Sequence, residues 1–192
     1  EALNPLTTGG GNTAIGIQAL LSNTSGTFNT ANGFAVLSSN TTGSTNTAVG
    51  FTALNKNVTG GGNSAVGFTS LFSNTGGNAN TANGSSSLYS NTNWQRNSSN
   101  GNFSLYLNTI GDDNVANGAS ALRSNLTGDK NTANGAFSLF SNTSASGNTA
   151  HGFRAIYNNT TGYSNTANGI AALYSNTGGN NNTANGDSAL YS

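Results

Sequence analysis

The stretch Asn29-Thr-Ala-Asn-Gly-Phe-Ala-Val-Leu-Ser-Ser-Asn-Thr-Thr-Gly-Ser-Thr45 is followed at once by a second version of itself, which begins Asn46-Thr-Ala-Val-Gly-Phe-Thr-Ala-Leu54. The pattern returns every 17 residues without insertion or deletion, and the 192 residues hold about 11.3 such units (192/17). Low-complexity sequence does not keep register in this way, so we predict a single repeat domain over residues 1–192. A partial unit begins at Glu1 in its seventh position, and the further units begin at Asn12, Asn29, Asn46, Asn63, Asn80, Asn97, Asn114, Asn131, Asn148, Asn165 and Asn182.

The residues within one unit indicate strands rather than helices. Seventeen residues are too few for two packed helices, and Asn, Thr and Gly are poor helix formers. Two short strands fit better, one at Thr-Ala-x before the fifth-position Gly and one at x-Ala-Leu-Tyr before Ser-Asn-Thr. Because Asn and Gly both adopt the left-handed conformation at low cost, turns are predicted at the Asn-Gly pairs that begin with Asn32, Asn83, Asn100, Asn117, Asn134, Asn168 and Asn185. With one coil per unit, we expect an all-β parallel β-solenoid (a β-roll), a rod roughly 50 Å long at ~4.8 Å per coil.

One large apolar side chain per unit marks the predicted core. The third position is Ala except at Ser99, and the ninth position holds Leu3, Leu20, Leu37, Leu54, Leu71, Leu88, Leu105, Leu122, Leu139, Ile156, Leu173 and Leu190. A buried Leu contributes about 2 kcal/mol, which must offset the ordering of a whole coil, so a coil is marginal alone. We therefore expect Asn ladders along the first and twelfth positions, together with contacts between subunits, to supply the rest.

The composition argues against several classes of function. Charged residues make up 5% of the chain, five basic and five acidic, so no basic surface favours nucleic acid. There is no Cys and a single His, which leaves no cysteine nucleophile and no histidine metal cluster. No stretch approaches the ~20 apolar residues needed to cross a bilayer. We expect no enzyme activity, no cofactor and no metal, and we interpret His151 as a substituted turn residue.

Two carboxylates share the sixteenth position of consecutive units, at Asp112 and Asp129, with Asp113 and Lys130 beside them. Carboxylates stacked ~4.8 Å apart can hold a cation. We favour the other interpretation, which is a solvated loop with a local Asp113–Lys130 pair.

Two rows of large apolar residues are candidate binding surfaces. The sixth position is apolar near both ends of the chain (Ile17, Phe34, Phe51, Phe68, Phe153, Ile170) and polar between, at Ser85 and Asn102, which indicates a local contact. An unbroken strand would point the tenth position away from the ninth-position Leu row. An outward aromatic row there is either a subunit interface, which we favour because the thin core needs burial, or a strip that stacks on sugars. The row comprises Phe72, Tyr89, Tyr106, Phe140, Tyr157, Tyr174 and Tyr191 and is interrupted by Arg123.

The segment Asn93-Trp-Gln-Arg96 replaces the usual turn and contains the only Trp of the chain. Since Trp stacks well on sugars, Trp94 and Arg96 are a candidate contact patch for a surface glycan or receptor. We favour the alternative, in which the repeat sequence has diverged here and the segment covers a hydrophobic edge. Glycosylation sequons, such as those that begin at Asn40, Asn57, Asn125 and Asn159, lie at the twelfth-position turn. They matter only in a host that glycosylates them.

Ranks of Thr and Asn flank the inward Ala on the first predicted strand. Hydroxyls and amides ~4.8 Å apart along the rod and ~7 Å apart across the strand can order water, so ice binding is an alternative function. The array is broken at Ile15, Val49, Val66, His151 and Val115, and the Asn-Gly turn alone explains the Asn. The ranks are Thr30/Asn32, Thr81/Asn83, Thr132/Asn134, Thr166/Asn168 and Thr183/Asn185.

The motif from Asn46 to Leu54, preceded by Ser-Asn-Thr-Thr-Gly at residues 39–43, resembles the repeats of bacterial and phage tail-fibre-domain proteins. It is similar, less closely, to the head repeats of trimeric autotransporter adhesins. The resemblance implies a left-handed parallel β-roll, often built from three chains, located outside the cell, at the cell surface or on a virion. We therefore expect a structural fibre, stalk or filament that associates with copies of itself, as a homotrimer or filament, through an exposed face or through its uncapped ends. Ice binding and glycan binding along the aromatic row remain the alternatives.

Overall fold

A computed structural model describes residues 2–3 and 8–192 and confirms the predicted all-β parallel solenoid. Glu1, where the first predicted unit begins, lies outside the described residues. The strands form one eleven-stranded parallel sheet in sequence order, in which each residue pairs with the residue 17 positions later. The strands are β1 (Thr13–Ile15), β2 (Thr30–Asn32), β3 (Thr47–Val49), β4 (Ser64–Val66), β5 (Thr81–Asn83), β6 (Ser98–Asn100), β7 (Val115–Asn117), β8 (Thr132–Asn134), β9 (Thr149–His151), β10 (Thr166–Asn168) and β11 (Thr183–Asn185).

Each strand turns its middle residue into the core and its two outer residues towards solvent. In β2, Ala31 is fully buried while Thr30 and Asn32 are exposed. The Gly that follows has a positive φ, 135° at Gly33, and a Cβ atom there would collide with the backbone oxygen of Gly50 in the next coil. The fifth position therefore needs Gly for two reasons, the backbone conformation and the close approach of the neighbouring coil.

The first predicted strand, Thr-Ala-x, is confirmed and includes the Asn of each Asn-Gly pair, so the turn predicted at these pairs begins only at the Gly. Only the Gly has a positive φ. The Asn side chain faces outward because side chains alternate along a strand. His151 likewise ends strand β9 and is not a turn residue.

The second predicted strand, x-Ala-Leu-Tyr, is also wrong, because the structure has consecutive turns in its place. Residues at the seventh and ninth positions adopt the left-handed conformation, with φ values of 50° at Ala35 and 51° at Leu37. The chain bends so tightly that the adjacent side chains of Val36 and Leu37 both lie in the core. A left-handed Leu costs roughly 1–2 kcal/mol. That cost is offset by burial and by a 3.2 Å hydrogen bond from the Leu37 N–H to the Ala53 carbonyl in the next coil.

Two internal ladders of Asn amides run beside the Leu row, as predicted. At the twelfth position, Asn40 Nδ2 donates to Asn23 Oδ1 at 2.9 Å. At the first position, Asn29 Nδ2 donates to Asn12 Oδ1 at 3.2 Å. Both ladders also donate to the same fifteenth-position carbonyl, since Asn29 and Asn40 reach the Gly43 oxygen at 2.8 and 2.9 Å. The ladders satisfy buried polar groups and join every coil to the next, which a core of Leu and Ala alone would not do.

The core becomes more polar near its middle, where the eighth position is Ser instead of Ala. Ser87 Oγ donates to Ser99 Oγ at 2.8 Å, and Ser99 Oγ donates to the Ser104 carbonyl at 2.9 Å. One coil earlier, the Ser70 hydroxyl is buried and has no hydrogen-bond partner among the described residues. The middle coils therefore contain one satisfied hydroxyl cluster and one unsatisfied hydroxyl.

Candidate interaction surfaces

The tenth-position row forms two ring stacks joined by a guanidinium. Ring centroids lie 5.3 Å apart from Phe72 to Tyr89 and again from Tyr89 to Tyr106, and they lie 4.9–5.1 Å apart along the second stack, from Phe140 to Tyr191. Arg123 fills the gap, with its guanidinium carbon 5.9 Å from the Tyr106 centroid and 5.6 Å from that of Phe140. The residue that interrupts the row in the sequence therefore continues it in space, through cation–π contacts.

The stacking limits what the tenth-position row can bind. Its rings are half-buried except for the exposed Tyr191, and their planes are nearly parallel, with only 4° between Tyr157 and Tyr174. The ring faces therefore cover one another and the ring edges point outward. A sugar stacks on the face of an aromatic ring, so this geometry favours contacts to protein side chains over a glycan strip.

A second surface, here called the apolar patch, combines the sixth and fourth positions of the first four strand-bearing coils. Phe34, Phe51 and Phe68 stack with centroids 5.2 and 5.3 Å apart. The fourth position is apolar in three of the same coils, and β-strand alternation turns these residues outward beside the rings. The apolar patch consists of Ile15, Ile17, Phe34, Val49, Phe51, Val66 and Phe68.

The sixth-position part of the apolar patch was predicted from the sequence as a local contact, and its fourth-position part was not predicted. In the sequence, Val49 and Val66 stand out only as breaks in the Thr–Asn ranks. The signal was present, because the apolar fourth positions occur only in coils whose sixth position is Phe or Ile.

The Thr–Asn ranks lie on the outer face of the sheet, and their amides form a third ladder over the later coils. Asn83 Nδ2 donates to Asn100 Oδ1 at 2.9 Å, and the ladder continues to Asn117 and Asn134 at 2.8 Å per step. His151 extends it, with Nδ1 3.0 Å from Asn134 Nδ2. Among the described residues, the second-position Thr hydroxyls have no hydrogen-bond partner, which leaves them for solvent.

The Trp94–Arg96 segment keeps the backbone of the repeat. The Trp94 carbonyl accepts hydrogen bonds from the Asn80 and Asn91 amides at 2.8 and 3.1 Å, as Gly does in other coils, and the Trp side chain is half-buried. Arg96 forms a bidentate pair with Asp113, at 2.6 Å from Nε to Oδ1 and 3.2 Å from Nη2 to Oδ2. This hydrogen bonding lowers the pKa of Asp113 and raises that of Arg96. The predicted Asp113–Lys130 pair is wrong, because Asp113 hydrogen-bonds to Arg96 in the preceding coil.

The sixteenth-position carboxylates bind the backbone of the preceding coil. Asp112 Oδ1 accepts the Gln95 N–H at 2.6 Å, and Asp129 Oδ1 accepts the Asp112 N–H at 2.8 Å. Over residues 2–3 and 8–192, no three His, Cys, Asp or Glu side chains come together as a metal site. The same residues show no ligand-sized pocket and no helix long and apolar enough to cross a membrane.

No family model, no curated protein and no solved structure matches the chain.

Proposed function

We propose that the chain is a non-enzymatic structural repeat, part of an extracellular fibre or stalk of the adhesin or tail-fibre kind, and that it associates with copies of itself. The observation that carries this proposal is the uninterrupted stack from β1 to β11, in which every coil is joined to the next through the strands and the amide ladders. Ten steps of ~4.8 Å give a spacer about 48 Å long. Such a rod holds whatever lies at its two ends at a fixed separation.

The apolar side chains that the rod leaves exposed support the proposed self-association. Its core is one Leu and two small residues wide per coil, while large apolar side chains remain exposed along its outside, among them Phe28, Phe51 and Ile170. Burying such surfaces between copies adds stability that the thin core does not supply. A homotrimer or filament at a cell surface or on a virion is the assembly that we propose.

Sedimentation of the purified chain, combined with electron microscopy of the same sample, tests this function. We expect particles with masses that are multiples of 19.2 kDa and a rod-like outline. A species that stays monomeric over the accessible concentration range would contradict the proposed self-association.

A second candidate function, ordering of water or ice, is favoured by the orientation of the Thr–Asn ranks. The Asn residues are held outward by the strand itself, so the turn does not explain their presence. From β5 to β11 the fourth position is polar throughout, and a regular ladder of amides lies beside the free Thr hydroxyls. Repeated polar groups with this spacing are suited to organising a water layer.

Assays of thermal hysteresis and of ice recrystallisation test this second function. If the sheet face binds ice, Thr132→Tyr in the polar half should abolish the effect, because the large ring disrupts the layer. The matched control is Thr47→Tyr, at the same position of the repeat but among apolar fourth-position residues. Failure of concentrated wild-type protein to shape ice crystals would end this proposal.

A further inference from the structure

We infer that the apolar patch is the surface through which two copies of this chain meet, patch against patch. This inference rests on the self-association proposed above and gives it a two-fold contact, which pairs two chains and therefore fits a filament built from pairs and not a homotrimer. Six of the seven side chains of the patch are between 41% and 63% exposed, and the seventh, Val49, is half-buried. They lie on adjacent coils and include no charged residue.

The exposed area suits a protein interface. Phe34, Phe51 and Phe68 are about half exposed, so the three rings alone present on the order of 300 Å² of apolar surface. Ile15, Ile17 and Val66 enlarge it, to a substantial part of the ~800 Å² that each partner buries in a typical stable interface. The rest can come from the Thr side chains of the neighbouring second-position row, which border the apolar patch.

The spacing of the rings identifies a second copy as the partner. The rings repeat every 5.2–5.3 Å because each sits on one coil of the stack. Another copy carries the same rings at the same interval, so its side chains can fit between them over all four coils. A surface with a different interval would lose register within a few coils. Since the patch is uncharged, contact between two identical patches brings no like charges together.

The chain itself limits where this contact can occur. From the fifth strand onward, the sixth position is Ser85 and then Asn102, while the fourth position is Asn83 and then Asn100. Apart from Asn32, the same two rows are therefore apolar over β1 to β4, and both rows are polar in the next two coils. A two-fold axis through the middle of the patch, near Phe51, lays one patch on the other and leaves the polar coils outside the contact.

The central experiment replaces the three rings with residues that the chain uses at the same position. The variant Phe34→Ser/Phe51→Asn/Phe68→Ser should fold, because Ser85 and Asn102 occupy this row in the native rod. We expect the dissociation constant of the assembly to rise roughly 100-fold or more, since the variant removes three aromatic anchors of one interface. The matched control, Phe153→Ser, removes an exposed sixth-position ring outside the patch and should leave the constant unchanged.

Disulfide cross-linking gives an independent readout, because the chain has no Cys of its own. Val49→Cys lies near the proposed axis and should yield a covalent dimer under mild oxidation. Asn134→Cys occupies the same fourth-position row in the polar half and should not.

The outcomes separate this inference from the proposed function. The apolar patch is not the interface if the assembly persists unchanged in the folded triple variant, or if it cross-links through Asn134→Cys and not through Val49→Cys. Either result leaves the proposed self-association intact. A wild-type chain that is monomeric at every concentration overturns both. Dissociation by the triple variant alone, with cross-linking at Val49→Cys, supports the inference.

Discussion

Replacing Ser70 with Ala should stabilise the protein, although most core substitutions destabilise. The Ser70 hydroxyl is buried and has no hydrogen-bond partner among the described residues. A buried hydroxyl in this state costs ~1–3 kcal/mol relative to its hydrated form in the unfolded chain. The same row accommodates Ala elsewhere, at Ala19, Ala53, Ala121, Ala155 and Ala172. Since Ser70→Ala keeps the Cβ and removes only the unsatisfied oxygen, we expect the free energy of unfolding to rise by about 1 kcal/mol.

Ser138→Ala is the matched control, because it makes the same change in the same row. Ser138 Oγ donates to the Gly135 carbonyl at 2.8 Å, so this substitution removes a formed hydrogen bond. The expected loss is about 1 kcal/mol, which separates the two variants by about 2 kcal/mol. For a domain of this length, each kcal/mol moves the melting temperature by roughly 2–4 °C.

Urea unfolding, followed by circular dichroism and by Trp94 fluorescence, provides the measurement. Two probes are needed because repeat proteins can unfold in segments, and the free energies are comparable only where both transitions coincide. The reasoning would be refuted if Ser70→Ala lowered the unfolding midpoint as much as Ser138→Ala does. That result would mean that the Ser70 hydroxyl is satisfied in solution.

Three further predictions concern the ladders and the surface. Asn57→Asp removes donors to Asn40 Oδ1 and the Gly60 carbonyl and buries a carboxylate, so we expect a loss of about 3–5 kcal/mol at neutral pH. Burial raises the folded-state pKa of that carboxyl above its unfolded value, so the loss should shrink as pH falls through the folded-state pKa, and pH-dependent urea unfolding checks this. In a glycosylating host, mass spectrometry should find the twelfth-position sequons of the folded, secreted protein unmodified, because these Asn side chains are buried. Because the pKa of Asp113 is lowered in the folded state, its pairing with Arg96 stabilises the fold above the unfolded-state pKa, and this stabilisation is lost as pH falls through the folded-state pKa. Arg96→Gln should therefore leave the unfolding midpoint unchanged in acid, and also at high salt, where the pair is screened.

The period of the sequence was sufficient to predict the coil, the Gly turn, the Leu row and both internal amide ladders. All of these follow from one residue type recurring at a fixed interval, which a parallel stack converts into a continuous row. The backbone of the seventh and ninth positions was not predictable from residue preferences. A left-handed Leu such as Leu37 is unfavourable in isolation, and it is stabilised here by burial and by hydrogen bonds to neighbouring coils.

The start of the turn at the Asn-Gly pairs is likewise decided by the neighbouring coils. Local turn preferences assign the left-handed conformation to both residues of the pair, whereas the pairing of Asn32 with Val49 across two strands holds the Asn extended. Because the fourth position ends each strand and faces outward, the apolar Val49 and Val66 join Phe51 and Phe68 in one patch.

The inner rows maintain the stack and the outer rows vary, which explains how one rod can carry several surfaces. The first, ninth and twelfth positions are nearly uniform because each coil must continue the ladders and the Leu row of its neighbours. The fourth, sixth and tenth positions face outward or stand half-buried, and residues of one kind mostly recur there over several coils, with single exceptions such as Asn32 and Arg123. Such runs are favoured because a stacked ring, or an amide in a ladder, gains its contacts from the coils above and below. The place where the fourth and sixth positions turn polar, between β4 and β5, is also the place where the tenth-position stack begins, at Phe72. The rod thus presents one aromatic stack in the sixth-position row over its early coils and another in the tenth-position row over its later ones.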